Sequence, residues 1–139
     1  MTYRETIEFL NKIRLLDRRI RRMEIWHDEM ESCLLPGGIR YDKDPVQTSP
    51  EDKMSEIAGR VVDLERDIRN LQLEKSRVTY EVGMAIEQLD DEDEKTVLSA
   101  FYIGRMPMVD VAEIIHYSLS RSYDIRRNAI GHLAELSES

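Results

Sequence analysis

Residues 107–136, PMVDVAEIIHYSLSRSYDIRRNAIGHLAEL, predict two helices separated by a short polar turn. Pro107 opens the first helix, and Ser118 caps the second, which runs to about Leu136. Two helices joined by a turn of three to four residues form the helix-turn-helix pattern. The residues predicted to face inward are Val111, Ala112, Ile114 and Ile115 in the first helix, and Ile125, Ala129, Ile130, Leu133 and Leu136 in the second.

A shorter helix precedes this pair and completes a three-helix module over residues 90–139. The acidic run 90–94, DDEDE, starts this helix, because carboxylates are favourable at the positive end of a helix dipole. Residues 104–107, GRMP, form the turn that follows. The buried face is predicted to contain Val97, Leu98, Phe101 and Tyr102.

Residues 49–89 carry the most regular heptad pattern of the chain. Ser49 is the predicted N-cap and Pro50 the first helical residue. A 3.5-residue repeat kept over five heptads indicates a coiled-coil seam, in which Lys75 is a polar exception. The seam positions are Met54, Val61, Ile68, Lys75, Val82 and Leu89 on one side, and Ile57, Leu64, Leu71, Val78 and Ala85 on the other.

The first helix is predicted from Tyr3 to about Leu35, with Thr2 as its cap. Its apolar stripe contains Tyr3, Ile7, Leu10, Ile13, Leu16, Ile20, Met23 and Met30. We expect this helix to fold back on the second helix across the loop 36–49. Because the second helix is longer, part of its apolar stripe is left to pack against the C-terminal module or another chain. The predicted fold is therefore all-α: an antiparallel helical hairpin over residues 1–89, followed by the helix-turn-helix module over 90–139. We also predict a homodimer formed through the hairpin.

Charge and composition limit the functions that the chain can have. Its net charge of −8 argues against indiscriminate nucleic-acid binding, and residues 90–139 contain five basic and ten acidic side chains. No apolar run approaches the roughly 20 residues of a membrane span, and no signal peptide is recognisable. A single cysteine, Cys33, cannot form an internal disulfide. We therefore predict a cytoplasmic protein of a bacterial host, without membrane association.

Nothing in the sequence predicts catalysis, a cofactor or a metal. A reactive thiol needs an electropositive pocket, whereas Cys33 lies near acidic residues, so we do not expect it to be a nucleophile. Asp42 and Asp44 lack the further oxygen ligands of a calcium loop. His27 falls on the seam of the first helix, where we expect a satisfied interface histidine, and the adjacent Trp26 is expected to be a packing anchor. A P-loop, a dinucleotide-binding turn and a nucleophile elbow are all missing from the sequence.

Two stretches of the C-terminal module resemble region 4 of bacterial sigma factors: residues 102–118, YIGRMPMVDVAEIIHYS, and residues 125–133, IRRNAIGHL. Over nearly its full length, the chain resembles a family of small proteins of Firmicute phages and prophages that includes sigma-like and ArpU/RinA-like late regulators. The other segments that carry this resemblance are 13–20 (IRLLDRRI), 46–54 (VQTSPEDKM), 62–65 (VDLE) and 86–90 (IEQLD). The resemblance implies a sigma-region-4-like transcription regulator that binds double-stranded DNA, with RNA polymerase as a further partner.

Four positions depart from the motif. His116 stands in the turn where glycine is usual, at a backbone position that favours a positive φ. Ser122 replaces a β-branched core residue, and Pro107 replaces the Ser or Thr that starts the helix. In the turn before Pro107, the glycine that is usual in the motif appears one residue earlier than expected, as Gly104. These departures predict weaker DNA binding by a single module, without a change of fold.

The outward face of the last helix is the predicted DNA-binding surface, against the alternative of a merely solvated helix face. Arg121 and Arg127 are expected to contact guanine edges or phosphates, and Ser118 and Ser120 phosphates or base edges. Arg126 and His132 are expected to contact the DNA backbone. The predicted surface consists of Ser118, Ser120, Arg121, Tyr123, Asp124, Arg126 and Arg127.

A second basic cluster lies on the first helix. Its members are Arg14, Arg18, Arg19, Arg21 and Arg22. In one interpretation they pair with acidic residues of the second helix (Asp63, Glu65, Asp67 and Glu74), and in the other they contact phosphate.

Two further functions remain open. One is a DNA-packaging or assembly protein of the small-terminase type, in which hairpins oligomerise into rings that display the modules. The other is a protein-binding adaptor with a degenerate helix-turn-helix.

Overall fold

In a computed structural model of the chain, residues 1–35 and 50–138 are described. Within these ranges the structure consists of helices and turns without strands, which confirms the all-α class. The helices are α1 (Tyr3–Ser32), α2 (Pro50–Ile86), α3 (Glu92–Leu98), α4 (Met108–Ile115) and α5 (Leu119–Leu136), with a π-helical turn (Ser99–Ile103) after α3. The predicted loop 36–49, with Asp42, Asp44 and Ser49, lies outside the described residues. No described helix is both long enough and apolar enough to cross a membrane.

Helices α1 and α2 form the antiparallel hairpin. The first half of α1 shares a core with the last half of α2, and His27 near the end of α1 contacts Glu65 in the first half of α2. Thr2 caps α1 as predicted, because its hydroxyl accepts the backbone N–H of Glu5 at 3.1 Å. Helix α2 begins at Pro50 as predicted and ends at Ile86, before the predicted end.

The heptad pattern predicted the seam of α2 correctly along most of its length. The buried seam residues are Val61, Leu64, Leu71, Val78 and Val82, with Ile86 completing the row. Met54 is 40% exposed, and Tyr3, on α1, is 42% exposed, so both were wrongly predicted as core. The contact of His27 with Glu65 sets a register in which Met54 lies beyond the last residue of α1, so no α1 side chain covers it.

The chain divides into two compact units: Met1–Leu16 together with Lys75–Ser139, and Asp17–Glu74. The predicted division between residues 89 and 90 follows the order of the chain, whereas these units follow the packing. The first unit contains one large core, to which both hairpin helices and the C-terminal helices contribute. Its buried members are Leu10, Ile13, Val78, Val82, Ile86, Leu89, Leu98, Tyr102, Ala129, Ile130 and Leu133.

Specific hydrogen bonds set the limits of the C-terminal helices. Asp91 caps α3 by accepting the N–H of Glu94 at 3.0 Å. The π-helical turn ends where the N–H of Gly104 donates to the carbonyl of Ser99 at 2.8 Å. A Cβ at Gly104 would lie 2.8 Å from the Ala100 carbonyl oxygen, so glycine is needed there for close approach rather than for a positive φ.

Two inward positions of the module were wrongly predicted. Ile114 is 46% exposed, because α4 buries Val111, Ala112 and Ile115, and Ile114 projects beside that face. Leu136 is 42% exposed at the last residue of α5, where the packed face has ended at Leu133 and Ala134. The remaining predicted inward residues of both helices are buried.

Candidate nucleic-acid interface

The turn between α4 and α5 sets the start of the candidate surface. His116 ends α4 in the left-handed conformation, with φ 61° and ψ 38°, as its place in the turn predicted. The hydroxyl of Ser118 accepts the N–H of Arg121 at 3.1 Å and so caps α5. Ser122 is fully buried, and its hydroxyl donates to the Ser118 carbonyl at 2.8 Å. A polar residue in this core position is therefore satisfied by its own helix.

The first three turns of α5 bring the predicted residues together. The exposed ones are Ser118, Ser120, Arg121, Tyr123 and Arg127, and the half-buried ones are Asp124 and Arg126. The surface therefore presents two exposed cations, Arg121 and Arg127, with two hydroxyls at the helix N-terminus, where anions are favoured.

The arginines of this face differ in how they are held. Arg127 Nη1 lies 3.1 Å from a carboxylate oxygen of Asp124, in an exposed ion pair. The guanidinium of Arg126 lies 4.6 Å from the ring centroid of Phe101 and 4.9 Å from that of Tyr123. Cation–π contacts of this kind favour a fixed position, so Arg126 is less available to a ligand than Arg127.

Acidic groups also reach the start of α5. The pKa of Tyr117 is raised, chiefly by a hydrogen bond from its hydroxyl to the Asp93 carboxylate, while Arg121 acts in the opposite direction. Asp93 therefore lies beside the predicted DNA-binding surface, and Asp124 lies within it. Both carboxylates oppose phosphate binding.

His132 does not belong to this surface, although it was predicted as a backbone contact. Its Nδ1 lies 2.6 Å from a carboxylate oxygen of Glu94, a residue of α3 that is only 8% exposed. The pair lines a cavity of about 370 Å³ with Leu89, Asp90, Asp91, Glu135 and Leu136. Sequence reasoning missed this contact, because the two residues are 38 positions apart.

The arginines of the second basic cluster differ in burial and in their contacts. Arg14 is half-buried: one guanidinium nitrogen donates to the Phe101 carbonyl at 2.8 Å, and the guanidinium lies 4.2 Å from the ring centroid of Phe101. This contact removes Arg14 from any phosphate-binding patch. Arg21 pairs with Glu24 at 3.6 Å. Arg18, Arg19 and Arg22 are exposed.

The predicted pairing of that cluster with acidic residues of α2 is not observed in the described part of the chain. Asp63 and Asp67 lie near Arg66 instead, and Glu65 contacts His27. Trp26, predicted as a packing anchor, is 57% exposed, because it lies beside the seam rather than on it.

His27 occupies the seam, as predicted, inside a cluster of carboxylates. Its Nε2 lies 3.0 Å from Glu65, and its Nδ1 lies 3.2 Å from Asp28 and 3.6 Å from Glu31. These contacts raise the pKa of His27, with the Glu65 hydrogen bond as the largest cause. His27, Asp28 and Glu31 also have the spacing of a metal site, which the sequence did not indicate.

The fold and the candidate surface define an all-α protein with a helical hairpin and a C-terminal three-helix unit. The chain belongs to the phage-associated family described as "Protein of unknown function (DUF1492)", whose model matches residues 34–134. No curated protein and no solved structure gave a significant match.

Proposed function

We propose that the protein is a DNA-binding transcription regulator of a phage or prophage, similar to sigma region 4, that docks the start of α5 in the major groove. The observation that carries the proposal is the capped start of α5, directly after a left-handed turn, with Arg121 and Arg127 exposed beside Ser118 and Ser120. Recognition helices of helix-turn-helix proteins contact base edges through their N-terminal residues.

The charge distribution supports a mode of action in which one module does not bind DNA alone but needs a second copy or another protein. Residues 90–139 contain twice as many acidic as basic side chains, and Asp93 and Asp124 lie at the docking face. A single module therefore gains little from phosphate neutralisation. Either a second copy binds a neighbouring half-site, or RNA polymerase holds the module at the promoter.

Arg127→Ala tests the proposal, with Arg60→Ala as a matched control. Both arginines are similarly exposed, 66% and 65%, and each pairs with an acid on its own helix. The duplex is obtained by selection from random sequences with the native protein, and affinity is measured by fluorescence anisotropy with and without RNA polymerase. We expect Arg127→Ala to weaken binding by about 1–3 kcal/mol if it reads a guanine. Arg60→Ala is expected to bind like the native protein.

Footprinting provides the deciding observation. We expect a salt-dependent footprint at a promoter-proximal site. If no DNA is protected either with or without RNA polymerase, the proposal is wrong.

A second candidate function is a protein-binding adaptor. The observation that favours it is the pair of carboxylates, Asp93 and Asp124, at the start of α5. A variant in which Arg121, Arg126 and Arg127 are all changed to alanine separates the two functions. Retained capture of a partner protein by this variant, together with no DNA binding by the native protein, would favour the adaptor.

A further inference from the structure

His27 lies in the hairpin seam with both ring nitrogens facing carboxylates. Its side chain is only 15% exposed, so packing as well as polar contacts holds the ring in place. Nδ1 lies 3.2 Å from Asp28 Oδ1 and 3.6 Å from Glu31 Oε2, both on the same helix. Nε2 lies 3.0 Å from Glu65 Oε1, on α2. All four residues belong to one compact unit, Asp17–Glu74.

One ring nitrogen and two carboxylate oxygens converge at this point. The ligand atoms of His27, Asp28 and Glu31 all lie within 4.8 Å of one another, and no other such group of three His, Cys, Asp or Glu side chains occurs among the described residues. Ligand atoms about 2.0–2.2 Å from a tetrahedral metal ion are about 3.3–3.6 Å apart. The two distances from Nδ1, 3.2 and 3.6 Å, are close to this range. The carboxylate side chains are 72% and 58% exposed, so each can turn to complete the approach.

Glu65 occupies the place of an outer-shell partner. A histidine that binds a metal through one ring nitrogen usually donates the N–H of the other nitrogen to a carboxylate or carbonyl, which fixes the tautomer and the orientation of the ring. The contact between His27 Nε2 and Glu65 provides this interaction, because it keeps the proton on Nε2 and leaves Nδ1 to the metal. Since Glu65 lies on α2, the second helix of the hairpin orients a ligand that belongs to the first.

We propose that His27, Asp28 and Glu31 bind a divalent transition-metal ion of the zinc type, with Glu65 as a positioning residue. An imidazole with two carboxylates suits Zn²⁺ better than Mg²⁺ or Ca²⁺, which prefer oxygen ligands alone. Three protein ligands leave a fourth position for water. The proposal concerns the hairpin and does not depend on DNA binding.

Zinc and a proton compete for the same nitrogen. The carboxylates that raise the pKa of His27 favour a proton on Nδ1 in the metal-free protein. Zinc replaces that proton, which passes to solvent. The pH dependence of stability that the His27 ion pairs produce is therefore a property of the metal-free protein.

Titration of the full chain with Zn²⁺ alone tests the site. Isothermal titration calorimetry is carried out at about pH 8 on chelator-treated protein, in a Cys33→Ser background that removes the free thiol as a competing ligand. We expect one zinc ion per chain. His27→Gln is expected to weaken binding by at least the roughly 10–100-fold that loss of an outer-shell partner costs. His132→Gln is the matched control, since His132 also contacts a carboxylate 38 positions away. Glu31→Gln is likewise compared with Glu29→Gln, which changes an exposed acid of the same helix.

Glu65 is tested separately, because it acts through His27. Glu65→Ala is expected to weaken zinc binding by about 10–100-fold. Glu65→Gln is expected to retain most of the affinity, since its amide oxygen also accepts a hydrogen bond from Nε2. Nitrogen-15 NMR of the native protein is expected to show zinc on Nδ1 of His27 and a proton on Nε2, a signature that a change in packing does not produce. Circular dichroism verifies that each variant is helical.

Three results would overturn the proposal. The first is an absence of zinc binding by the native protein. The second is equal binding by the native protein, His27→Gln and Glu31→Gln, which would indicate an adventitious ion only. The third is a loss on His132→Gln as large as that on His27→Gln. If a variant does not fold, the NMR spectrum of the native protein decides, and zinc on Nε2 or no change at His27 would overturn the assignment.

Discussion

Replacement of Asp124 by asparagine is expected to strengthen DNA binding. Asp124 Oδ1 lies 3.1 Å from Arg127 Nη1, and their side chains are 47% and 66% exposed. To contact a phosphate or a guanine edge, Arg127 must release at least part of this pair. Asp124 also adds a negative charge to the surface that faces the DNA. Asparagine keeps the shape of the side chain and removes the charge.

The size of the gain follows from the ion pair. Exposed pairs of this kind stabilise by about 0.2–1 kcal/mol. Because about 1.4 kcal/mol corresponds to a tenfold change in affinity, removal of the cost of breaking this pair strengthens binding by about 1.4- to 5-fold. Removal of repulsion between Asp124 and phosphates acts in the same direction. Both effects weaken with salt, since the screening length is about 10 Å at 0.1 M.

The assay is fluorescence anisotropy on a duplex selected with the native protein, at several salt concentrations. Asp124→Asn is compared with the native protein, and the double variant with Arg127→Ala. If the gain comes from releasing Arg127, most of it is lost in the Arg127→Ala background. An equal gain in both backgrounds would show that Asp124 acts only as a background charge. Weaker binding by Asp124→Asn would refute the reasoning and indicate that Asp124 accepts a hydrogen bond from a base.

Three further predictions concern stability, measured by chemical denaturation. His27→Leu is expected to destabilise the protein more at about pH 6 than at about pH 9. Because the pKa of His27 is raised in the folded protein, its contribution to stability is complete below the ordinary value of 6.5 and is lost as the pH rises through the raised value. An equal loss of stability at both pH values would contradict this. Ser118→Ala is expected to lower the free energy of unfolding by about 0.5–2 kcal/mol through loss of the α5 cap, while Ser120→Ala, at an exposed position, changes it little. His116→Gly is expected to raise that free energy by up to about 1 kcal/mol, since glycine adopts φ 61° without strain; a destabilised variant would show that the imidazole makes a stabilising contact.

Periodicity predicted the elements of the fold because it reports which face of a helix is buried. The row from Val61 to Val82 followed the heptads, and His116 had the positive φ expected of its place in the turn. Several of the errors fall at ends of elements. Met54 and Leu136 continue an apolar pattern past the point where another helix covers it, and the pattern alone does not reveal where its partner ends.

The candidate surface was less predictable, because it depends on contacts between distant residues. Arg14 and Phe101 are 87 positions apart, so no local pattern distinguishes Arg14 from the exposed arginines that follow it. Glu94 and His132, which are in contact, are likewise 38 positions apart. The outward positions of α5 were predictable from its period, whereas the neighbouring carboxylate of Asp93 was not.

The core shared by the hairpin and the C-terminal helices has a consequence for inheritance. Leu133 is buried in the same cluster as Leu10, although these two residues lie near opposite ends of the chain. A recombination event that exchanges only residues 90–139 between related genes separates side chains that must fit one another. Each part is therefore expected to evolve by compensated substitutions. A chimera joined at residue 89 is expected to require matching changes in residues 1–16 and 75–89.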